Sequence, residues 1–146
     1  MARSRFANGL YTIENSEKYV GKKAPRYRSS WEHAFMRFCD QHESVVKWAS
    51  ESIRIPYKHP LSGKQTHYVP DFLVQYQDKT GKLVTELVEI KPKKQSIIES
   101  KNANRATRET VAINHAKWDQ AMRWCKANGI KFRVVTEEDI FRSGAR

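Results

Sequence analysis

The sequence predicts a mixed α+β fold of the α/β class, in which a central mixed sheet of about four strands is flanked by helices. Two observations predict it. Apolar residues recur at helical spacing over residues 31–39 and 111–125, and short apolar runs at strand spacing lie between and after these segments. With 146 residues, 39% hydrophobic and 11% aromatic, the chain suits one folded domain and excludes a disordered protein. The predicted order is α-β-β-β-α-β-α.

The first predicted element is a helix that Ser29 or Ser30 caps and that ends near Gln41. Its apolar row consists of Trp31, Ala34, Phe35, Phe38 and Cys39. Residues 1–28 show weak periodicity and several glycine and proline breakers. We therefore expect a partly ordered basic arm over residues 1–28 and a single domain over residues 29–146.

Three strands are predicted next, as a meander. Ile53, Ile55 and Tyr57 alternate with polar residues and define the first strand, which a turn after Pro60 ends. Residues 68–76 form the second strand, and a short turn joins it to the third strand over residues 83–91. Because the third strand carries apolar side chains on both faces, we expect it at the centre of the sheet.

A second helix, a fourth strand and a last short helix complete the prediction. The helix ends at Asn128-Gly129 with a left-handed cap, and the strand covers residues 130–134. A strand, a helix and a strand in succession favour parallel pairing of the third and fourth strands with a right-handed crossover. Thr136 with Asp139 resembles the capping box of a last helix.

The excess of positive charge is concentrated in two segments. Residues 1–28 carry seven Lys or Arg against two Glu, and residues 91–108 carry six against one. Clustered cations favour a nucleic-acid backbone as partner, because binding releases its condensed counterions. An acidic protein, a membrane surface or a solvated face without a partner are the alternatives. From these segments we expect Arg28, Lys93, Lys94, Arg105 and Arg108 to contact nucleic acid.

The sequence has no apolar run of about 18 residues and no apolar stretch behind its basic start, so we expect neither a membrane span nor a signal peptide. The two cysteines, Cys39 and Cys125, lie on apolar helical rows without zinc spacing, which predicts reduced core residues. Synthesis and residence in the cytoplasm follow as an expectation.

Two carboxylates lie on neighbouring predicted strands. Glu89 stands in an apolar run and shares a strand face with Lys91, and a buried carboxylate is costly unless it is paired. Asp71 follows Pro70 at a strand start, where a turn-capping role is the alternative. Two converging anions require a cation, and Mg²⁺, with Mn²⁺ as substitute, prefers oxygen ligands such as these and the carbonyl of Ile90.

Glu32 is the third acidic candidate, because it shares a helical row with Phe35, Met36 and Cys39. Favourable charge in the first helical turn is the alternative. The ammonium of Lys91 is suited to orienting an attacking hydroxide or to neutralising charge on a phosphate. His67 and Tyr68 lie beside the predicted site and are candidates for placing a substrate.

These residues resemble the PD-(D/E)XK nuclease superfamily: Pro70-Asp71, a short hairpin and Glu89-Ile90-Lys91, preceded by a helix that bears Glu32. The resemblance covers roughly residues 29–136 and implies a restriction-endonuclease-like core. It also implies metal-dependent hydrolysis of DNA phosphodiesters that leaves a 5′-phosphate. The acidic residues would be the metal ligands and Lys91 the catalytic lysine.

Residues 118–140 are further similar to the N-terminal nuclease domain of TnsA-type transposition endonucleases, and the whole chain resembles the head completion nucleases of T4-like tailed phages. The latter resemblance implies endonuclease and exonuclease trimming of packaged double-stranded DNA. It implies head, portal or neck proteins as partners, in the host cytoplasm or the virion. The alternatives are a transposition or restriction-type endonuclease, and a non-catalytic DNA-binding protein of the head-tail joint.

Overall fold

The computed structural model describes residues 8–92 and 104–139. The elements in these residues, in chain order, are β1 (Gly9–Leu10), β2 (Arg26–Tyr27), α1 (Ser30–Gln41), β3 (Val45–Ser50), β4 (Ile55–Lys58), β5 (Gln65–Tyr68), β6 (Phe72–Gln77), β7 (Leu83–Ile90), α2 (Arg105–Ala127) and β8 (Lys131–Val135). None of the described helices is long and apolar enough to cross a membrane.

The main sheet has four strands in the order β3-β6-β7-β8. β6 pairs antiparallel with both β3 and β7, and β8 pairs parallel with β7. Strand β7 is interior, because its Val88 pairs with Phe72 on one side and with Arg133 on the other. The mixed four-stranded sheet, the central third strand and its parallel neighbour are therefore confirmed.

Each face of the sheet carries a separate core. On one face α1 packs against residues that include Trp48, Phe72 and Val88. On the other face α2 contributes Trp118, Ala121 and Cys125, which pack with Leu87 of β7 and with the β4–β5 hairpin. Because β7 is covered on both faces, all its residues from Glu86 to Ile90 are buried, including two carboxylates.

The position predicted for the first strand is wrong, because this strand is not part of the main sheet. β4 does contain the alternating residues Ile55 and Tyr57, but it pairs with β5 in a separate two-stranded sheet that packs on α2. The strand that pairs with β6 is β3, which the sequence analysis missed. The second predicted strand is divided into β5, which ends at Tyr68, and β6, which begins at Phe72. Pro70 lies between them and has no N–H to donate to a neighbouring strand.

Residues 8–28 pack against the rest of the domain, although a partly ordered arm was expected over residues 1–28. β1 pairs with β2, the Tyr11 ring lies in the α1-side core, and the N–H of Val20 donates to the carbonyl of Trp48 at 2.9 Å. The reason is that apolar side chains of this segment complete the core beside β3, which weak sequence periodicity does not reveal. The packing thus crosses the predicted boundary at residue 29.

The bounds of the first helix and the end of the second agree with the prediction, whereas α2 begins at Arg105, inside the basic segment that was expected to precede it. The hydroxyl of Ser29 accepts from the N–H of Glu32, and Gly129 adopts a positive φ of 68° after α2. The N–H of Thr136 donates to Asp139 at 2.9 Å, as in the predicted cap, and residues 137–139 are helical. Cys39 and Cys125 are buried free thiols, as expected.

Candidate functional site

Asp71 and Glu89 face each other at one end of the β6–β7 hairpin. The pairing of Phe72 with Val88 places Asp71 opposite the last residues of β7. The N–H of Asp71 donates to a Glu89 carboxylate oxygen at 3.3 Å, and the N–H of Ile90 donates to an Asp71 carboxylate oxygen at 2.7 Å. These reciprocal bonds hold both carboxylates in place, as the hairpin in the sequence predicts.

Lys91 brings a cation to this pair. Its ammonium lies 3.6 Å from the second carboxylate oxygen of Glu89, and its N–H donates to the carbonyl of Val135. The side chain of Lys91 is 28% exposed, whereas that of Glu89 is 6% exposed. The ammonium is therefore anchored by a buried carboxylate while solvent, and a ligand, can still reach it.

The electrostatics of the pair are unfavourable without a further cation. Burial raises the pKa of Asp71 well above its usual value, and the negative charges of Glu89 and Glu32 raise it further. Burial also raises the pKa of Glu89, against the opposing effect of Lys91. Two carboxylates thus share one nearby lysine, an arrangement that favours binding of a cation.

Glu32 lies in the first turn of α1, on the side of the carboxylate pair. Its carboxylate accepts from the N–H of Arg28, the residue before the N-cap, at 3.2 Å, while its own N–H donates to the hydroxyl of the N-cap Ser29. Burial raises the pKa of Glu32, the Arg28 N–H and charge lower it, and the negative charges of Glu89 and Glu51 raise it. Glu32 therefore has the first-turn role that was the alternative prediction. Its carboxylate is also close enough to Glu89 for the two negative charges to interact.

The donor set fits a hard divalent cation in chemistry. Asp71 and Glu89 supply carboxylate oxygens, and the carbonyl of Ile90 lies between Glu89 and Lys91 in the chain. Over residues 8–92 and 104–139, no three His, Cys, Asp or Glu side chains converge closely enough to hold a metal. Glu32 therefore stands within electrostatic reach of the pair without forming a ready three-carboxylate cage.

Two charged residues near the pair were missed by the sequence analysis. The ammonium of Lys117, from α2, lies 5.6 Å from the centre of the Tyr68 ring. Burial and the charge of Lys91 lower the pKa of Lys117, and Glu89 and Asp71 oppose this shift. The one available signal was its position directly before Trp118, at the border of the apolar row.

Glu51 is the second missed residue. It follows β3 with a left-handed φ of 49°, and its N–H donates to the carbonyl of Asp71 at 2.9 Å. Its carboxylate forms an ion pair with Arg28 at 2.7 Å. No sequence signal marked it, because β3 itself was not predicted.

Tyr68 lies beneath the pair, as the sequence analysis suggested. Its hydroxyl is buried without a hydrogen bond of ordinary geometry in the described part of the chain. Burial raises the pKa of Tyr68, and the negative charge of Glu89 raises it further. The phenol therefore stays neutral and remains available as a donor toward the carboxylates.

Of the five residues expected to contact nucleic acid, three lie in the part of the chain that the structure describes. Arg28 lies at the carboxylate site through its ion pair with Glu51. Arg105 is exposed in the first turn of α2, where it pairs with Glu109 at 3.1 Å, and Arg108 follows in the same helix. Lys93 and Lys94 lie outside the described residues.

The chain is similar to known nucleases. Residues 42–137 match the model of the family described as TnsA-like endonuclease N terminal. The chain is also similar to the head completion nuclease of Enterobacteria phage T4. The two are 32% identical over 143 residues, which cover 91% of this chain and 93% of that protein. The family match includes Asp71, Glu89 and Lys91, and begins after Glu32.

Proposed function

Because this chain belongs to the family of TnsA-like endonuclease N-terminal domains and is therefore a nuclease, we propose that it hydrolyses DNA phosphodiesters with a divalent metal ion, Mg²⁺ or Mn²⁺. The observation that carries the proposal is the hydrogen-bonded pair of Asp71 and Glu89 with the ammonium of Lys91 at 3.6 Å. Like charges held together in this way favour a cation, which a phosphodiester substrate also needs.

In this proposal Asp71, Glu89 and the carbonyl of Ile90 would hold the ion, and Glu32 would add a third carboxylate near it. When bound, the ion lowers the pKa of water and offsets charge on the phosphate. Lys91, anchored by Glu89, places its ammonium against a non-bridging phosphate oxygen and stabilises the charge that builds there. A water molecule attacks phosphorus in line and gives up a proton to the surrounding solvent, the bond to the 3′-oxygen breaks, and that oxygen takes up a proton from solvent. The products are a 5′-phosphate and a 3′-hydroxyl.

We further propose, from the name of the T4 relative, that the chain acts in phage head completion. Its substrate would then be packaged double-stranded DNA, and its partners head, portal or neck proteins, in the host cytoplasm or the virion. A transposition or restriction-type endonuclease is the alternative that the family model favours. The two differ in sequence preference at the cut ends, which sequencing of the products measures.

The metal-dependent reaction is tested with supercoiled plasmid in Mg²⁺, in Mn²⁺ and in EDTA. We expect cleavage in either metal and none in EDTA, and loss of cleavage in Glu89→Gln. Glu43→Gln, an exposed change of the same kind, is the matched control and keeps full activity. Cleavage by Glu89→Gln at the wild-type rate would overturn the assignment.

A second candidate is a non-catalytic DNA-binding protein of the head-tail joint. The lack of three converging metal ligands in residues 8–92 and 104–139 is the observation that favours it. Retardation of DNA in a gel, together with intact plasmid in both metals, is the result that would establish this candidate and reject the nuclease.

A further inference from the structure

A groove of about 660 Å³ lies beside the segment that leads into Asp71. One wall is the loop over residues 20–23, and the other is formed by Arg54, Thr66 and His67. Glu51 and Val69 also line it. The N–H of Glu51 donates to the backbone carbonyl of Asp71, and Val69 precedes Asp71 by two residues, so two residues of the groove lining are direct neighbours of Asp71.

The charge of the groove is opposite to that of the site. Lys22, Lys23 and Arg54 line it and are exposed, and in the part of the chain that the structure describes none of the three has an ion-pair partner. The acidic side chain in the lining, Glu51, is already paired with Arg28. A polyanion that approaches two carboxylates is repelled by them, and cations placed alongside offset that repulsion.

The lysine wall is held rigidly. The hydroxyl of Tyr19 donates to the carbonyl of Lys23 at 2.5 Å, and its ring packs edge-on against Trp48 with centroids 4.7 Å apart. Gly21 lies so close that an added Cβ would stand 2.4 Å from the Tyr19 hydroxyl oxygen. Because these contacts fix the backbone of the loop, the entropy lost on binding a ligand comes mainly from the two lysine side chains.

We propose that this groove binds the backbone of the substrate DNA strand on one side of the scissile bond, with Lys22, Lys23 and Arg54 as phosphate contacts. This inference rests on the proposed nuclease function and names the surface that presents its substrate. Val20 and Val69, which are 54% and 36% exposed, flank the cations and contact sugars and bases. Lysine contacts to phosphate carry no base information, so the groove binds DNA without sequence preference.

Binding is tested in the Glu89→Gln background, so that the measurement does not depend on cleavage. Fluorescence anisotropy of a labelled 25-base-pair duplex is recorded over a series of salt concentrations. Each lost phosphate contact is expected to weaken binding about five- to tenfold near 0.1 M salt and to reduce the salt slope by about one. Lys22→Ala/Lys23→Ala therefore reduces the slope by about two, and Arg54→Ala by about one.

The matched control is Lys79→Ala/Lys82→Ala, which removes the same charge at the turn on the far end of the β6–β7 hairpin. This control is expected to change affinity by less than half the effect of the groove pair. Lys22→Arg/Lys23→Arg keeps the charge and restores binding. An equal loss of affinity in the groove and control double variants, or an unchanged salt slope in the groove double variant, would show that the groove does not bind DNA.

Cleavage kinetics separate this inference from the proposed function. In the otherwise wild-type chain, Lys22→Ala/Lys23→Ala is expected to raise KM about tenfold or more and to leave kcat within about twofold. Wild-type cleavage with unaltered KM in the groove variant rejects the groove and keeps the nuclease. A wild-type chain that does not cleave rejects the nuclease, whatever the groove variant binds.

Discussion

Asp40 and the Asp71–Glu89 pair are buried acidic groups on different sides of the domain, and their surroundings differ in kind. Asp40 is fully buried at the end of α1. Its carboxylate accepts from the Tyr11 hydroxyl at 2.8 Å and from the N–H groups of Glu14 and Asn15 at 2.9 and 3.0 Å. At the hairpin end, Asp71 and Glu89 each accept one backbone N–H, and each carboxylate faces the other.

The pKa directions follow from these surroundings. Burial alone would raise the pKa of Asp40, but the hydrogen bonds from Glu14, Tyr11 and Asn15 outweigh it and hold the pKa below its usual value. Burial raises the pKa of both Asp71 and Glu89, and the negative charges of Glu89 and Glu32 raise that of Asp71 further. A carboxylate satisfied by donors stabilises the fold, whereas a carboxylate pair left without enough positive charge is suited to binding a cation.

The largest expected difference between the two regions is in cleavage. Asp71→Asn and Glu89→Gln are expected to lower the cleavage rate about a thousandfold or more, because each removes a carboxylate that would hold the divalent ion. Asp40→Asn keeps the rate per folded molecule, since its carboxylate lies outside the site. Single-turnover cleavage of a labelled duplex measures this. Equal losses at residues 40 and 71 would contradict the comparison.

The next effect is on stability. Asp40→Ala leaves three donors without their acceptor and is expected to lower the free energy of unfolding by about 3–4 kcal/mol. Urea denaturation followed by circular dichroism measures the loss. Asp119→Ala, an exposed change, is the matched control and is expected to stay within about 0.5 kcal/mol. A loss at residue 40 no larger than this control would refute the structural role of Asp40.

Asp71→Asn is expected to change stability in the opposite direction. In EDTA it relieves repulsion from Glu89 and raises the free energy of unfolding by about 1 kcal/mol, while the amide oxygen can still accept from Ile90. Added Mg²⁺ raises the Tm of the wild-type protein and leaves that of the variant unchanged, because a ligand of the native state stabilises it. Destabilisation of Asp71→Asn in EDTA would show that the pair is structural.

The smallest expected effects depend on pH and have opposite signs. The lowered pKa of Asp40 contributes stability above its unfolded pKa of about 3.9, and this contribution is lost as the pH falls through the still lower folded value. The raised pKa of Asp71 has the opposite effect on stability. As the pH rises from about 4 through the folded pKa of Asp71, ionisation of this carboxyl lowers the free energy of unfolding.

The stability gained in Asp71→Asn should therefore vanish near pH 4, where the wild-type carboxyl is protonated as well. The stability lost in Asp40→Asn should persist at pH 5 and shrink toward pH 3. Urea titrations from pH 3 to pH 8 measure both differences. A gain in Asp71→Asn that is independent of pH would contradict the assigned cause.

The core of the candidate site was predictable because it depends on local order along the chain. Asp71 starts one strand of a hairpin and Glu89 ends the other, and antiparallel pairing through a short turn brings such positions together. Ser29 caps the first helix, as one of the two serines that the sequence offered for this role. These features require no contact with distant segments.

The missed features depend on distant contacts. Val45–Ser50 becomes a sheet strand because it pairs with β6 and supports Trp48 under the Tyr19 ring. Asp40 is a structural acid because residues 11–15 fold back across α1 to reach it. Lys117 approaches the carboxylates because α2 packs across the opposite face of the sheet.

By itself the sequence determined the helix ends, the β6–β7 hairpin and the pairing of two acids with a lysine at its open end. Periodicity, capping and short turns act between near neighbours, so they can be read from residue order. The tertiary structure alone decided which strand borders β6 and which buried carboxylate is satisfied by hydrogen-bond donors. It also decided where the two lysines of loop 20–23 lie. Those outcomes follow from packing between segments far apart in the chain, where burial and charge are set by the neighbours that the fold supplies.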